Sequence, residues 1–259
     1  MSSPYLIIED LHKEFPRPGE RPLKVISGLD VSVEEGALLS ILGPSGCGKS
    51  TLLNIINGLD SATSGRVVVN GKEVGIKTRS QVRIGVVFQQ PRLLNWRTVR
   101  DNVRIPLNEL GIPKEEAAQR VEKYLTLVGL GEFMDYYPLQ LSGGMQQRVS
   151  LARGLAIEPD LLLADEPFSA LDEISARKLR QEFVRIWATT GRTILFVTHN
   201  IREAVFLSTR MLVISARPAQ MFLDLPLDVP HPRAPEDDAL FEIEKNVTRD
   251  FMRMEEEAS

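Results

Sequence analysis

The sequence predicts an α/β fold with an N-terminal antiparallel β-subdomain and an inserted α-helical subdomain. Three observations predict it. A glycine-rich stretch, Gly43-Pro44-Ser45-Gly46-Cys47-Gly48-Lys49-Ser50-Thr51, sits between a short apolar run and a helix start. Residues 5 to 35 alternate apolar and polar positions, as half-buried strands do. Residues 91 to 157 lack β-branched runs and carry helical patterns instead.

Taken in order, each element follows from local pattern. Leu6, Ile7, Val25, Leu29, Val31 and Val33 mark two strands, with Pro16 to Pro22 as a loop between them. Ala37 to Leu42 is a buried strand feeding the glycine loop, and Thr51 to Leu59 is the helix after it. Val67 to Val74, with Asn70-Gly71 at its centre, predicts a hairpin on a type I′ turn. Ile84 to Phe88 is a strand ending at Gln89. Ala117, Val121, Leu125 and Val128 form one stripe of a helix over Lys114 to Val128. A further helix starts near Ser142 and runs to Ile157, stopped before Pro159. The core resumes with Leu161 to Glu166, a helix over Ile174 to Thr189, the strand Thr193 to His199, a helix from Ile201 and a last strand at Met211 to Ser215. Residues 226 to 236 are rich in Pro, Asp and Arg and read as a linker. Leu240, Ile243, Val247, Phe251 and Met254 then predict a C-terminal amphipathic helix, expected to dock on its own domain rather than on a partner. The implied domains are 1–90 with 158–225 for the α/β core and β-subdomain, 91–157 for the helical subdomain, and 226–259 for the linker and C-terminal helix.

Composition bounds the function. With 259 residues, 43% of them hydrophobic, a sizeable core is available. The net charge of -4 disfavours a broad nucleic-acid surface, so no nucleic-acid partner is expected. The single cysteine, Cys47, excludes an internal disulfide framework and suits a reducing compartment. Residues 1 to 5 have no signal-peptide character, and no apolar run approaches the ~20 residues of a membrane-spanning helix. Any membrane role is therefore expected to come through partner chains.

The glycine stretch fits G-x-x-x-x-G-K-[ST] at every fixed position, in the strand–loop–helix context that makes it a phosphate site. Its glycines let backbone N–H groups converge on an anion. The helix N-terminus adds partial positive charge, Lys49 a full charge for β- and γ-phosphates, and the Ser50 hydroxyl a ligand for Mg²⁺. Cys47, beside that helix N-terminus, is expected to have a lowered thiol pKa and to be labelled by maleimide. In an open parallel sheet, ligands sit beyond the carboxyl ends of the strands. Gln89, Asp165, Glu166 and His199 each follow an apolar run. Asp165 suits the Mg²⁺ shell, Glu166 the base on an attacking water, Gln89 that water and the metal, and His199 the γ-phosphate. Alone, each has an ordinary alternative: a turn cap for the acidic pair, a surface residue for His199 or Gln89. Ser142, followed by Gly143 and Gly144, makes a second capped helix N-terminus ready for an anion, or an ordinary cap.

At these residues the sequence resembles the ATP-binding-cassette ATPases. Leu141-Ser142-Gly143-Gly144-Met145-Gln146 is similar to the family's signature, Gly43 to Thr51 to its Walker A loop and Leu161 to Glu166 to its Walker B run. Gln89 falls on the Q-loop, Ser169-Ala170-Leu171-Asp172 on the D-loop and His199 on the switch histidine. The order agrees over about residues 5 to 220. The resemblance implies a P-loop NTPase core of RecA-like type, an Mg²⁺-dependent ATPase, and ATP contacts from Gly43 to Thr51, Gln89, Asp165, Ser142, Gly143, Gly144 and Gln146. It also implies an adenine-stacking aromatic, for which Phe15 is the candidate. Two chains would sandwich two ATPs head to tail, the signature of one serving the nucleotide of the other.

Within the family, Pro91 to Trp96, Arg202-Glu203-Ala204 and Ser215-Ala216-Arg217-Pro218 look like importers of the nitrate, sulfonate and taurine type, with Asn95 where a proline is usual. This implies a homodimer formed on ATP binding, transmembrane permease subunits, an indirect periplasmic binding protein and a place on the cytoplasmic face of the inner membrane. Leu93, Leu94 and Trp96 either line the permease groove or belong to the subdomain core. The other readings are an exporter or lipid-trafficking ATPase, a non-transport cassette ATPase, or a nucleotide switch that does not hydrolyse.

Overall fold

The computed structural model describes residues 4–78, 81–234 and 236–257. The chain divides into two compact units, Met1–Val82 with Thr193–Ser259, and Arg83–Arg192.

The first unit opens with strands β1 (Leu6–Phe15) and β2 (Leu23–Val33), an antiparallel pair. Strands β3 (Leu38–Leu42), β4 (Ser64–Val69) and β5 (Lys72–Glu73) follow, with helix α1 (Lys49–Ile56) after β3. β4 pairs antiparallel with β1, and β5 returns along β4 through the Asn70-Gly71 turn. Both turn residues have positive φ, 49° and 72°, the signature of the expected type I′ geometry. Every residue of β3 is buried. It lies between two parallel strands, β8 (Thr193–Thr198) and β9 (Arg210–Ile214). A strand buried on both faces needs a near-continuous apolar run rather than an alternating one, which explains Leu38 to Leu42, broken only by the small Ser40, and Ile194 to Val197.

The sequence predicts Met211 to Ser215 as the last strand, but one more follows it. β10 (Met221–Pro226) pairs antiparallel with β9 at the edge. Its alternating half-buried and exposed residues are the period-2 signal of a one-sided strand, and its closing proline is tolerated because the edge needs no donor there. Within the stretch expected as a linker, residues 226–234 are tied to the end of α6. Arg233, only 7% exposed, anchors it. Its guanidinium donates to the carbonyls of Val205 at 2.7 Å, Phe206 at 3.3 Å and Ser208 at 2.7 Å, where helix α6 (Ile201–Leu207) ends, and to Leu227 at 3.2 Å and Val229 at 2.6 Å. Orphan carbonyls at a helix C-terminus are thus satisfied by a fixed cation. Helix α7 (Asp238–Glu257) then packs Leu240, Val247 and Met254 against Ala204, Val205, Met211 and Val213, with Ile243 and Phe251 partly buried. Its stripe docks on its own unit, as expected.

The second unit carries strands β6 (Ile84–Val87) and β7 (Leu161–Asp165), paired in parallel, and helices α2 (Val99–Glu109), α3 (Lys114–Leu127), α4 (Gly143–Ala156) and α5 (Glu173–Thr190). Ala117, Val121, Leu125 and Val128 are all buried, as the stripe predicts. α2 was hidden in sequence by Pro106 inside it. Thr98 caps it, accepting from Asp101 N, and Val99, Val103 and Leu107 form its buried face. Buried Asn102 ties the loop before it: Oδ1 accepts from Leu94 N at 2.8 Å, and Nδ2 donates to the carbonyls of Leu94, Arg97 and Thr98. Trp96, on that loop, is 73% exposed, whereas Leu93 and Leu94 are half-buried. Among the described residues no helix is long and apolar enough to cross a membrane.

Candidate functional site

In the first unit the glycine loop leaves the buried end of β3 and enters α1 at Lys49. Gly48, at φ 127°, is the N-cap, with no side-chain cap bond, and the first turn holds no acidic residue. The helix end therefore keeps its partial positive charge for an outside anion. The loop is packed hard against its frame. A Cβ at Gly43 would lie 2.8 Å from Ile214 Cγ1, and one at Gly48 2.8 Å from Val25 Cγ1. Lys49, 5% exposed, donates Nζ to Gly43 O at 2.7 Å and Pro44 O at 2.9 Å. Ser45, Gly46 and Ser50 are exposed, and Pro44 and Thr51 half-buried.

Cys47 corrects the sequence expectation. It is buried, and burial pushes its thiol above the ordinary value. The neighbouring charges of Lys49 and Arg217 pull the other way and do not prevail. A helix N-terminus lowers a thiol pKa where the sulfur faces it in the open, and this sulfur is covered. Beside it a cavity of about 260 Å³ is lined by Pro44, Ser45, Gly46, Cys47, Ala216 and Arg217.

His199 sits one residue beyond β8, and Gly43 one beyond β3, at paired positions because Leu42 faces Thr198 in the register. The main chain around His199 is fixed. Thr198 Oγ1 donates to Glu203 Oε2 at 2.9 Å and accepts from Asn200 N at 3.0 Å, and Asn200 Oδ1 caps α6 by accepting from Glu203 N at 3.1 Å. Phe15 closes β1 and is 38% exposed, with the Lys13 ammonium 4.6 Å from its ring centre.

The second unit holds its own cluster. Val87 pairs with Ala164, so Gln89 and the Asp165-Glu166 pair leave neighbouring strands at the same end. Gln89 is exposed, and Asp165 and Glu166 half-buried. Glu166 has φ 42°, an unusual backbone for a side chain of its kind, and its carbonyl accepts from both Ser169 N and Ser169 Oγ. Further along, Asp172 caps α5 by accepting from Ser175 N at 3.0 Å; the Ser175 hydroxyl and, after it, the Ser175 N–H hold the Asp172 carboxyl below the ordinary range. The segment around Gln89 is pinned to α4. Gln147 Nε2 donates to Phe88 O at 2.9 Å, and Arg153 to Pro91 O at 2.7 Å and Arg92 O at 3.0 Å. Sequence reading missed these two residues, because nothing in their spacing marks which carbonyls they reach.

Ser142 is the N-cap of α4, its Oγ accepting from Met145 N at 3.3 Å. Gln146 turns back, donating Nε2 to Pro138 O at 3.0 Å and Leu141 O at 3.2 Å, which locks the loop before the helix. Gly143 and Gly144 are different from Gly43 and Gly48. A Cβ at either would meet only ordinary contacts, at 3.5 Å and 3.7 Å, and neither has positive φ. The fold of this chain does not require a glycine at either position.

The family model for ABC transporters matches residues 26–169, more than half of the chain. The taurine import ATP-binding protein of Roseobacter denitrificans is 40% identical over 230 residues, covering 86% of this chain and 85% of that protein. The aliphatic sulfonates import ATP-binding protein of Bacillus cereus is 36% identical over 246 residues, 95% of each. Among solved structures, a dimeric post-hydrolysis ATP-binding cassette bound to ADP and Pi superposes with a TM-score of 0.74 at 33% identity, covering 87% of this chain and 100% of that one. With these matches, the chain belongs to the ABC transporter family, as an ATP-hydrolysing cassette.

Proposed function

We propose that this chain powers import of a small solute, of the nitrate, sulfonate or taurine kind, through separate transmembrane permease subunits at the cytoplasmic face of the inner membrane. A periplasmic binding protein delivers the solute. The relatives named for taurine and sulfonate import support this direction of transport over export. In this reading residues 91–157 are the subdomain that meets the permease, with exposed Trp96 on its surface.

The nucleotide chemistry follows from the residues. ATP lies on Gly43, Pro44, Ser45, Gly46, Cys47, Gly48, Lys49, Ser50 and Thr51, with Phe15 against adenine. The oxygens of Ser50, Gln89 and Asp165 are the hard donors that suit Mg²⁺, which supplies charge neutralisation on the phosphates. Glu166 accepts the proton of the attacking water as the bond to the γ-phosphorus forms and ADP leaves; Gln89 and His199 orient that water. Ser142, Gly143, Gly144 and Gln146 act on the ATP of the partner chain in a homodimer.

The observation that carries the composite site is the pair Gly143 and Gly144. Glycine in a helix costs roughly 0.5–1 kcal/mol against alanine, and the chain's own packing does not demand it here. Close approach of an outside group to a bare helix N-terminus is the remaining physical reason. Mixing Ser142→Arg subunits with Lys49→Ala subunits tests it. The two homodimers are inactive, and the heterodimers regain one intact site and part of the ATPase rate. A crosslink from Ser142 to nucleotide held by the same chain refutes the arrangement.

A further inference from the structure

The turn Ser215-Ala216-Arg217-Pro218 has no role in the chemistry above. It is built rigidly. Ala219 N donates to Val25 O at 2.8 Å and Ala219 O accepts from Ser27 N at 3.1 Å, which stitches the turn to β2. Ser215 closes it, with N donating to Gln220 O at 3.0 Å and Oγ to Pro218 O at 3.1 Å. From this frame Arg217 reaches the glycine loop. Its Nε donates to Gly46 O at 3.1 Å, and Nη2 donates to the same oxygen.

We propose that Arg217 is the positioning residue of the phosphate loop: its guanidinium, bonded twice to the Gly46 carbonyl, sets the Gly46–Cys47 peptide plane for polyphosphate binding. This rests on reading Gly43 to Thr51 as the ATP site. A trans peptide is planar, so fixing the Gly46 oxygen also fixes the direction of the Cys47 N–H on the opposite side. Gly46, at φ 77°, has no side chain to restrain that plane itself. The Cys47 N–H is held only loosely from within, by Pro44 O at 3.3 Å. Lys49 already grips the first half of the loop through Gly43 and Pro44. Arg217 grips the second half. The Nε–H and Nη2–H of the rigid arginine fork lie on one edge and converge here on the single Gly46 oxygen. Because Arg217 itself is exposed, screening weakens its bare charge, and the geometry carries most of the effect.

The test separates loop order from general stability. In R217A the KM for ATP rises on the order of 10-fold, the scale of one lost charge-assisted contact, and more than kcat falls. The loosened loop also exposes Cys47, so maleimide labelling without nucleotide becomes faster. R217K, which keeps a charged donor, returns both readouts most of the way to wild type. Either readout of R217A staying at the wild-type value overturns the assignment, as does an R217K protein as impaired as R217A. Lys49→Ala is the control for the loop itself: if it too binds ATP normally, the ATP-site reading fails, whereas weak binding in Lys49→Ala beside an unchanged R217A sinks only the role of Arg217.

Discussion

Replacing Arg233 by methionine keeps the aliphatic stem and removes the guanidinium. Three of the carbonyls it serves, those of Val205, Ser208 and Leu227, belong to buried residues. A buried polar group left without its partner costs roughly 1–3 kcal/mol, so three cost about 6 kcal/mol at the middle of that range. Against this stands the desolvation of the cation. Burial pulls the Arg233 pKa down to about 10, with Asp237 offsetting part of the fall. That shift corresponds to a penalty on the order of 3 kcal/mol, which the variant no longer bears. The unsatisfied carbonyls win, and the net loss is about 3 kcal/mol. For a chain of this size the melting temperature falls by roughly 6–12 °C. Calorimetry or denaturant titration reads the loss, and hydrogen exchange locates it at the end of α6 and along α7. A methionine variant within about 1 kcal/mol of wild type would show that water replaces the guanidinium at low cost and that Arg233 is no anchor.

Glu166→Gln keeps shape and hydrogen bonding but cannot take a proton; turnover falls on the order of 10²–10⁴-fold, and a dimer persists on size exclusion with ATP but not with ADP. Near wild-type hydrolysis would move the base elsewhere, with His199 next. Asp165→Asn loses Mg²⁺-dependent nucleotide binding as well as turnover, measured by titration with and without the metal; retained Mg²⁺ dependence counts against its place in the metal shell. Cys47, raised by burial, holds its proton in the folded protein above about pH 8.5, where the unfolded chain loses it. Maleimide labelling at pH 7 is therefore slow and climbs only in alkali, ATP slows it further, and fast labelling at pH 7 contradicts the buried placement. Its share of stability, intact at neutral pH, is lost as pH rises through the raised folded value. Gly143→Ala leaves folding intact but lowers ATPase activity, because the Cβ fits the chain's own structure at 3.5 Å and obstructs only an outside group; unchanged activity refutes the role of that glycine.

Much of this was legible where chemistry and period coincide. The loop from Gly43 to Thr51 declares itself, since it fits G-x-x-x-x-G-K-[ST] at every fixed position between a strand and a helix. β3, β7 and β8 follow from apolar runs, and α3 and α7 from stripes of period 3.6. β10 was there to be read in the alternation of Met221, Leu223 and Leu225, but the stretch is short and follows closely on the strand predicted as last, with the Pro-rich residues from 226 beyond it. α2 was obscured by Pro106 although Val99, Val103 and Leu107 keep the helical interval. The covered thiol of Cys47 was not legible, because the sequence places it at a helix end and only the packing shows which way it faces.

Arg153, Arg217 and Arg233 explain the rest. Each donates to main-chain carbonyls of a segment distant in sequence: Pro91 and Arg92, Gly46, and the end of α6, Arg233 adding the nearby Leu227 and Val229. The segments they hold are those next to Gln89, within the phosphate loop, and after the turn that carries His199. Such segments must leave the ladder to meet a ligand, so their carbonyls lose their regular partners. A long side chain with several donors restores those bonds without committing the loop to a strand or helix. No periodicity marks such an arginine, since its partner is an oxygen that every residue has. Sequence therefore names the candidate nucleotide groups more readily than the groups that hold their segments in place, and substitutions of these three arginines should alter loop order, and with it ligand affinity, before they alter the identity of the reaction.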